Sequence, residues 1–147
     1  MKGFTLLEIL IVFAILAILS AISVGFYKNY AINSEMDLVK KAMIANLKQA
    51  RSKSMTGEEG LKWGIHFINS EDDYYEIFST PADYSSASTT IFSATYFPKT
   101  ISFIEPITSS TIIFNKINGM ISATSTVIFS SQIATSTITI TPAGNIY

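Results

Sequence analysis

Cysteine is absent from the 147 residues, and histidine and tryptophan occur once each. The missing thiols exclude a disulfide scaffold and a thiolate metal site, and a single imidazole excludes a multi-histidine centre. Charge is also scarce, at 14% of residues where a soluble domain carries about 25%. Proline is confined to four positions, none before Pro81, so nothing in the first 80 residues forbids a long helix. What the chain has in abundance is apolar surface, with 48% hydrophobic residues and a mean hydropathy of +0.37. Disorder as the overall state is excluded by that content, and the length suits one modest domain.

The few charges are unevenly placed. Between Phe4 and Tyr27 the only formal charge is Glu8. Lys28, Lys40, Lys41, Lys48, Arg51, Lys53 and Lys62 then face Glu35, Asp37, Glu58 and Glu59. From Trp63 onward two lysines oppose six acids, a net of −4. An acidic C-terminal region argues against nucleic acid as a partner, because that affinity comes from clustered Lys and Arg.

Ile9 to Leu19 is an unbroken apolar run, and the 19 residues Ile9 to Tyr27 carry no charge. As a helix they span roughly the 30 Å hydrocarbon core of a bilayer. Lys2 before the run and Lys28 after it give no orientation on their own. A secretory signal peptide fits poorly: the n-region holds only Lys2, the apolar stretch is too long, and Ser20-Ala21-Ile22-Ser23 is a poor cleavage site. A buried core helix this apolar at the start of a small protein is unusual, so a membrane anchor fits best. Glu8 is then the odd residue, since a carboxylate in such a segment costs a few kcal/mol unless paired or at the interface. The plain alternative places it at headgroup level, where it favours the helix N-terminus.

From Lys28 the pattern changes. Ile32, Met36, Val39, Met43, Leu47 and Ala50 recur at steps of three and four, an apolar stripe of helical period. The stripe lasts only three heptads and strands follow at once, which favours packing on the protein's own sheet over a coiled coil. Lys40, Lys41, Lys48 and Arg51 mostly lie off the stripe and read as a solvated face. Thr56-Gly57-Glu58-Glu59-Gly60 is a stop signal.

Beyond Leu61 the chain reads as strands: 61–68, 74–79, 90–97, 101–105, 111–116, a segment from Met120 or Ser125 to Ser130, and 137–141. Asn69 to Asp73 and Asn118-Gly119 are turn signals, and Pro81 to Thr90 reads as a loop. Thr137-Ile138-Thr139-Ile140-Thr141 alternates between a core face and a wet face. Ser and Thr make up 26 of the 63 residues from Ser79 to Thr141, a mixture of β-propensity and uncharged surface. The expected fold class is α+β: a long N-terminal helix, apolar in its first half and amphipathic in its second, packed on an antiparallel sheet or sandwich.

No catalytic constellation emerges. His66 lies between Ile65 and Phe67 in a strand and has neither a cysteine nor a serine motif to work with. Glu71-Asp72-Asp73 is a turn without calcium-loop spacing. No phosphate-cradling glycine loop occurs. Trp63, Tyr74, Tyr75 and Phe78 read as core or sheet-face aromatics. Neither an enzyme activity, nor a cofactor, nor a metal is expected.

Met1-Lys2-Gly3-Phe4-Thr5-Leu6-Leu7-Glu8-Ile9-Leu10 resembles the N-terminal signature of type IV prepilins and pseudopilins. In that family a short leader ends in glycine, followed by phenylalanine, a Thr-Leu pair and a glutamate ahead of a long apolar helix. The resemblance implies cleavage between Gly3 and Phe4 by a prepilin peptidase, N-methylation of Phe4, and pairing of the Glu8 carboxylate with the terminal amine of a neighbouring subunit. It further implies a leader over 1–3, a transmembrane half over 4–27, an amphipathic half over 28–56 and a β-rich extracytoplasmic head over 57–147. Its implied partners are the peptidase/methylase, other pilin or pseudopilin subunits through helix packing, and the inner membrane, with the N-terminus cytoplasmic. Many members carry proline where this chain has Gly25, so flexibility near Ser23 to Gly25 is an expectation. The order of helix, hairpin, Ile113 to Gly119 and Ile138 to Ile146 is similar to H-type minor pseudopilins and related minor pilins. The implied function is a structural subunit of a type IV pilus-like or type II secretion filament. The rival readings are a major pilin and a singly anchored binding domain that never polymerises.

Overall fold

The structure, a computed structural model, describes residues 3–147, apart from the side chains of Ser23, Val24 and Phe26. One helix, α1, covers Leu6–Thr56 without interruption and so passes straight through Gly25. It begins two residues later than Phe4, because Thr5 in extended conformation (φ −79°, ψ 153°) caps it. It stops where Gly57 turns left-handed at φ 67°, and the Gly57 amide donates back to the carbonyls of Lys53 and Ser54. A single turn of 3-10 helix, Glu58–Gly60, leads into the strands.

Seven strands follow: β1 (Lys62–Ile68), β2 (Tyr74–Thr80), β3 (Thr90–Tyr96), β4 (Ser102–Glu105), β5 (Ser109–Phe114), β6 (Ser125–Ser130) and β7 (Thr135–Ile140). They form a four-stranded sheet in the order β3-β2-β1-β5 and a three-stranded sheet in the order β4-β6-β7. Every neighbouring pair is antiparallel.

The helical stripe finds its partner in β1 and its neighbours. Met36, Met43, Leu47 and Ala50 join one core with Trp63, Ile65, Phe67, Tyr75, Ile77, Ile112 and Phe114 of the larger sheet. Phe103, Val127, Phe129, Ile138 and Ile140 of the smaller sheet complete the same cluster. The alternation expected of Thr137 to Thr141 therefore holds, with Ile138 and Ile140 inside. Polar ties reinforce the seam: Ser54 Oγ donates to the Phe114 carbonyl at 2.6 Å, and Asn46 Nδ2 donates to Tyr75 Oη at 2.8 Å. Asp73, in the β1–β2 turn, is buried. Its carboxylate accepts from the amides of Ser70 at 2.8 Å and Phe103 at 2.7 Å, so it joins one sheet to the other.

Arg51 departs from the solvated face expected of the basic stretch. Its Nε donates to the Gly119 carbonyl at 3.3 Å and its Nη2 to the Ala143 carbonyl at 3.0 Å, holding two distant turns on the helix. Lys53 also leaves the solvent, pairing with Glu58 at 2.6 Å and lying over the rings of Trp63 and Phe92.

Two substitutions probe this core. Leu47→Ala removes a fully buried side chain from the helix–sheet seam and should cost about 2–5 kcal/mol. Gly64→Ala adds a Cβ 2.3 Å from the Ile112 carbonyl oxygen and 2.8 Å from Phe78, forcing β1 from β5, and should cost about 1–3 kcal/mol or more. Both are read by thermal or denaturant unfolding of the detergent-solubilised chain; unchanged midpoints would contradict this packing.

Candidate functional site

Gly3, Phe4 and Thr5 precede α1 and are exposed, so the Gly3–Phe4 peptide bond is not protected by helical hydrogen bonding. A Cβ placed on Gly3 would meet nothing within 4 Å, and the Phe4 side chain is 86% exposed. An accessible, irregular peptide bond is what a peptidase needs. Met1 and Lys2, the other residues of the expected leader, lie outside the described residues.

Thr5 and Glu8 form a reciprocal capping box. The Glu8 carboxylate accepts from the Thr5 amide at 2.9 Å and from Thr5 Oγ1 at 2.9 Å, while the Glu8 amide donates to Thr5 Oγ1 at 3.3 Å. Glu8 therefore serves the positive end of the helix, one turn after Phe4.

Behind this start the helix is uncovered. Its most apolar 18-residue window has a mean hydropathy of 2.8, and none of that window is buried by the rest of the chain. From Leu6 to Tyr27 the helix is about 33 Å long, the thickness of a bilayer core. Tyr27, Lys28 and Tyr30 follow, all exposed, in the aromatic-plus-basic composition that suits a membrane–water boundary. Gly25 lies within this segment; a Cβ there would meet nothing within 4 Å, so no close contact requires glycine at that position.

The head holds one polar cluster of note, on the face of the larger sheet turned away from α1. His66 on β1 pairs across the strands with Glu76 on β2, and its Nδ1 lies 2.7 Å from Thr111 Oγ1 on β5. The Tyr84 ring, from the β2–β3 loop, stacks on the imidazole at 3.9 Å between centroids and packs edge-on against Phe78. Tyr84 Oη donates to Glu76 Oε2 at 2.8 Å. Burial holds the imidazole pKa below the ordinary histidine value, against the opposing pull of Glu76. Burial and the Glu76 carboxylate push the Tyr84 phenol up to about 12. Sequence reasoning placed His66 in its strand but missed Tyr84 and Glu76, for Tyr84 sits in a serine-rich loop with no periodicity to reveal its contact. The cluster is well satisfied: among the described residues no buried side-chain polar atom lacks a hydrogen-bond partner. Glu71 and Asp72 are exposed in their turn, and no group of three or more metal-ligating side chains comes together among the described residues.

That cluster makes stability pH-dependent. The unfolded chain takes up a proton at His66 near pH 6.5 while the folded chain still resists it, so stability falls as pH drops below about 6.5 toward the depressed folded pKa. Titrating unfolding midpoints from pH 7.5 to 5 should show this loss, and His66→Gln should flatten that part of the curve. An identical slope in the variant would remove His66 as its source.

Residues 1–24 match the family described as the prokaryotic N-terminal methylation motif. Searches of curated proteins and of solved structures find no match. The motif is a class III signal. Joined to an exposed Gly3–Phe4 bond and an uncovered apolar helix, this match over the first 24 residues supports a type IV pilin-like N-terminus.

Proposed function

We propose that the chain is a structural subunit, a minor pilin or pseudopilin, of a type IV pilus-like or type II secretion filament. The observation that carries this reading is the junction of the methylation motif with an apolar stem that the head leaves bare. Residues 1–3 act as the leader. Prepilin peptidase cuts between Gly3 and Phe4 and methylates the new amine. Residues 4–27 then hold the subunit in the inner membrane as a single span, with the N-terminus cytoplasmic, while 28–56 carry the head, 57–147, on the other side.

Assembly exchanges lipid for neighbouring stems. Inside such a bundle the Glu8 carboxylate is poorly screened, so pairing with the Phe4 amine of an adjacent subunit gives register, and an unpaired Glu8 is a penalty. The Thr5 donors that hold Glu8 in the single chain keep its carboxylate turned toward the helix start, where that amine lies. Minor rather than major status is supported by the order of helix, hairpin and glycine-turned C-terminus, which is similar to H-type minor pseudopilins. The head's net charge of −4 from Trp63 onward speaks against DNA capture.

The test is the intact mass and N-terminal sequence of protein taken from its own membrane. A chain starting at methylated Phe4 is expected. Glu8→Ala should then lower incorporation into sheared filaments at least about tenfold, the effect of losing roughly 1.4 kcal/mol. An intact Met1 in cells with active peptidase, or absence of the unsubstituted chain from filaments, would leave a singly anchored binding domain as the better account, whereas full incorporation of Glu8→Ala would remove Glu8 as the source of register. Incorporation as the bulk component of the filament would make it a major pilin.

A further inference from the structure

The larger sheet ends on two edges that no other strand pairs among the described residues. β3 bonds to β2 alone and β5 to β1 alone. The smaller sheet is treated differently: the chain end returns along β7, where Thr139 and Tyr147 exchange backbone hydrogen bonds at 3.2 and 3.0 Å and Ile140 bridges Ile146. Open edges are normally blunted by charge or proline, since they template pairing with another chain. Neither β3 (Thr90–Tyr96) nor β5 (Ser109–Phe114) contains a charged residue or a proline. β3 also keeps Ile91, Phe92 and Tyr96 more than half exposed, at 52%, 58% and 62%.

Direction and charge select the occupant. In the order β3-β2-β1-β5 with every neighbour antiparallel, β3 and β5 run in opposite senses. Two copies set side by side with parallel stems therefore bring β3 of one against β5 of the next in the antiparallel sense already used throughout the head. The flanking charges agree. Asp83 precedes β3 and Lys99 follows it; Glu105 precedes β5 and Lys116 follows it. Antiparallel pairing sets the start of β3 against the end of β5, facing Asp83 with Lys116, and the end of β3 against the start of β5, facing Lys99 with Glu105. All four residues are exposed and none of them is in an ion pair among the described residues.

We propose that β3 of one copy adds to the β5 edge of a second copy, extending the four-stranded sheet from subunit to subunit; this rests on the polymeric function proposed above. The contact is heterologous, one surface meeting a different one, and such contacts propagate rather than close unless their rotation makes a ring. Six or seven paired residues give a weak association between free heads. It becomes effective when packed stems hold the heads at high effective concentration.

The test uses the full chain in its native host, and the natural absence of cysteine provides a clean background. With Thr90 opposite Phe114, Ile91 falls opposite Ile113 before the bulge in β3 is reached, and both lie on the sheet face that carries Phe78 and Gly64. The double variant Ile91→Cys, Ile113→Cys should yield an oxidation-dependent ladder of covalent multimers in sheared filaments, and neither single variant should. In parallel, Lys99→Glu or Glu105→Lys alone should lower filament yield several-fold, and the two combined should restore it. A ladder, or reciprocal rescue that reveals the same pairing in a shifted register, supports the proposal. Normal filaments with neither ladder nor charge dependence would overturn the edge pairing and leave the filament assignment standing. Absence of filaments from the unsubstituted, processed chain would overturn both.

Discussion

The seam between Met43, Leu47 and Ala50 of the helix and Trp63, Ile65 and Phe67 of β1 is the contact on which the rest depends. Because α1 is continuous from Leu6 to Thr56, fixing its second half on the sheet fixes the axis of its first half, which leaves the head as a bare apolar rod. Thirteen large apolar side chains from Phe4 to Ile22 are exposed on it. At about 1.5–3 kcal/mol for each side chain withdrawn from water, leaving them wet would cost on the order of 20–40 kcal/mol. That exceeds the roughly 5–15 kcal/mol by which a domain is stable. The stem must therefore lie in lipid or among other stems, and the head alone provides neither.

Within that rod Glu8 is the single carboxylate, and the proposed assembly rests its specificity there. Apolar packing between stems is nearly indifferent to axial sliding, since one leucine-rich surface resembles the next. Glu8 breaks the degeneracy because its penalty is removed only where a positive group stands at the same depth. The capping box orients it in the isolated chain without neutralising it, for Thr5 offers hydrogen bonds and no charge. In the proposed function, cleavage at Gly3–Phe4 would create the missing charge only four residues away in sequence, so processing and assembly would be linked by electrostatics as well as by removal of a leader.

Much of this was legible in the sequence because the relevant signals are local. The stripe from Ile32 to Ala50 is a period, and its members turn inward just where the period says. Six of the seven strands appear within a residue or two of their expected limits for the same reason, and β6 starts at Ser125, the later of its two expected starts. What was not legible is pairing across distance. No pattern divides seven strands into sheets of four and three, since that depends on contacts between residues far apart in the chain. Arg51 read as one more surface cation, yet it binds carbonyls 68 and 92 residues away. Asp73 read as a turn residue, and it is one, but its second carboxylate oxygen reaches Phe103 in the other sheet. At the N-terminus the reverse holds: Gly3, Phe4, Thr5 and Glu8 are adjacent, so their chemistry survives in one dimension.

The poverty of charge in the head gains a physical meaning in the same terms. A surface that remains in water is served equally well by lysine or by serine. A surface that is to be covered by a neighbour is not, because desolvating an ion costs several kcal/mol while a hydroxyl can carry its hydrogen bonds into the contact. The stretch from Ser79 to Thr141 holds 26 serines and threonines and only four charges, Asp83, Lys99, Glu105 and Lys116. Those four flank β3 and β5 rather than interrupting them. A head built this way stays soluble through hydroxyls and a modest net negative charge. It still presents strands whose burial by another subunit requires no buried ion.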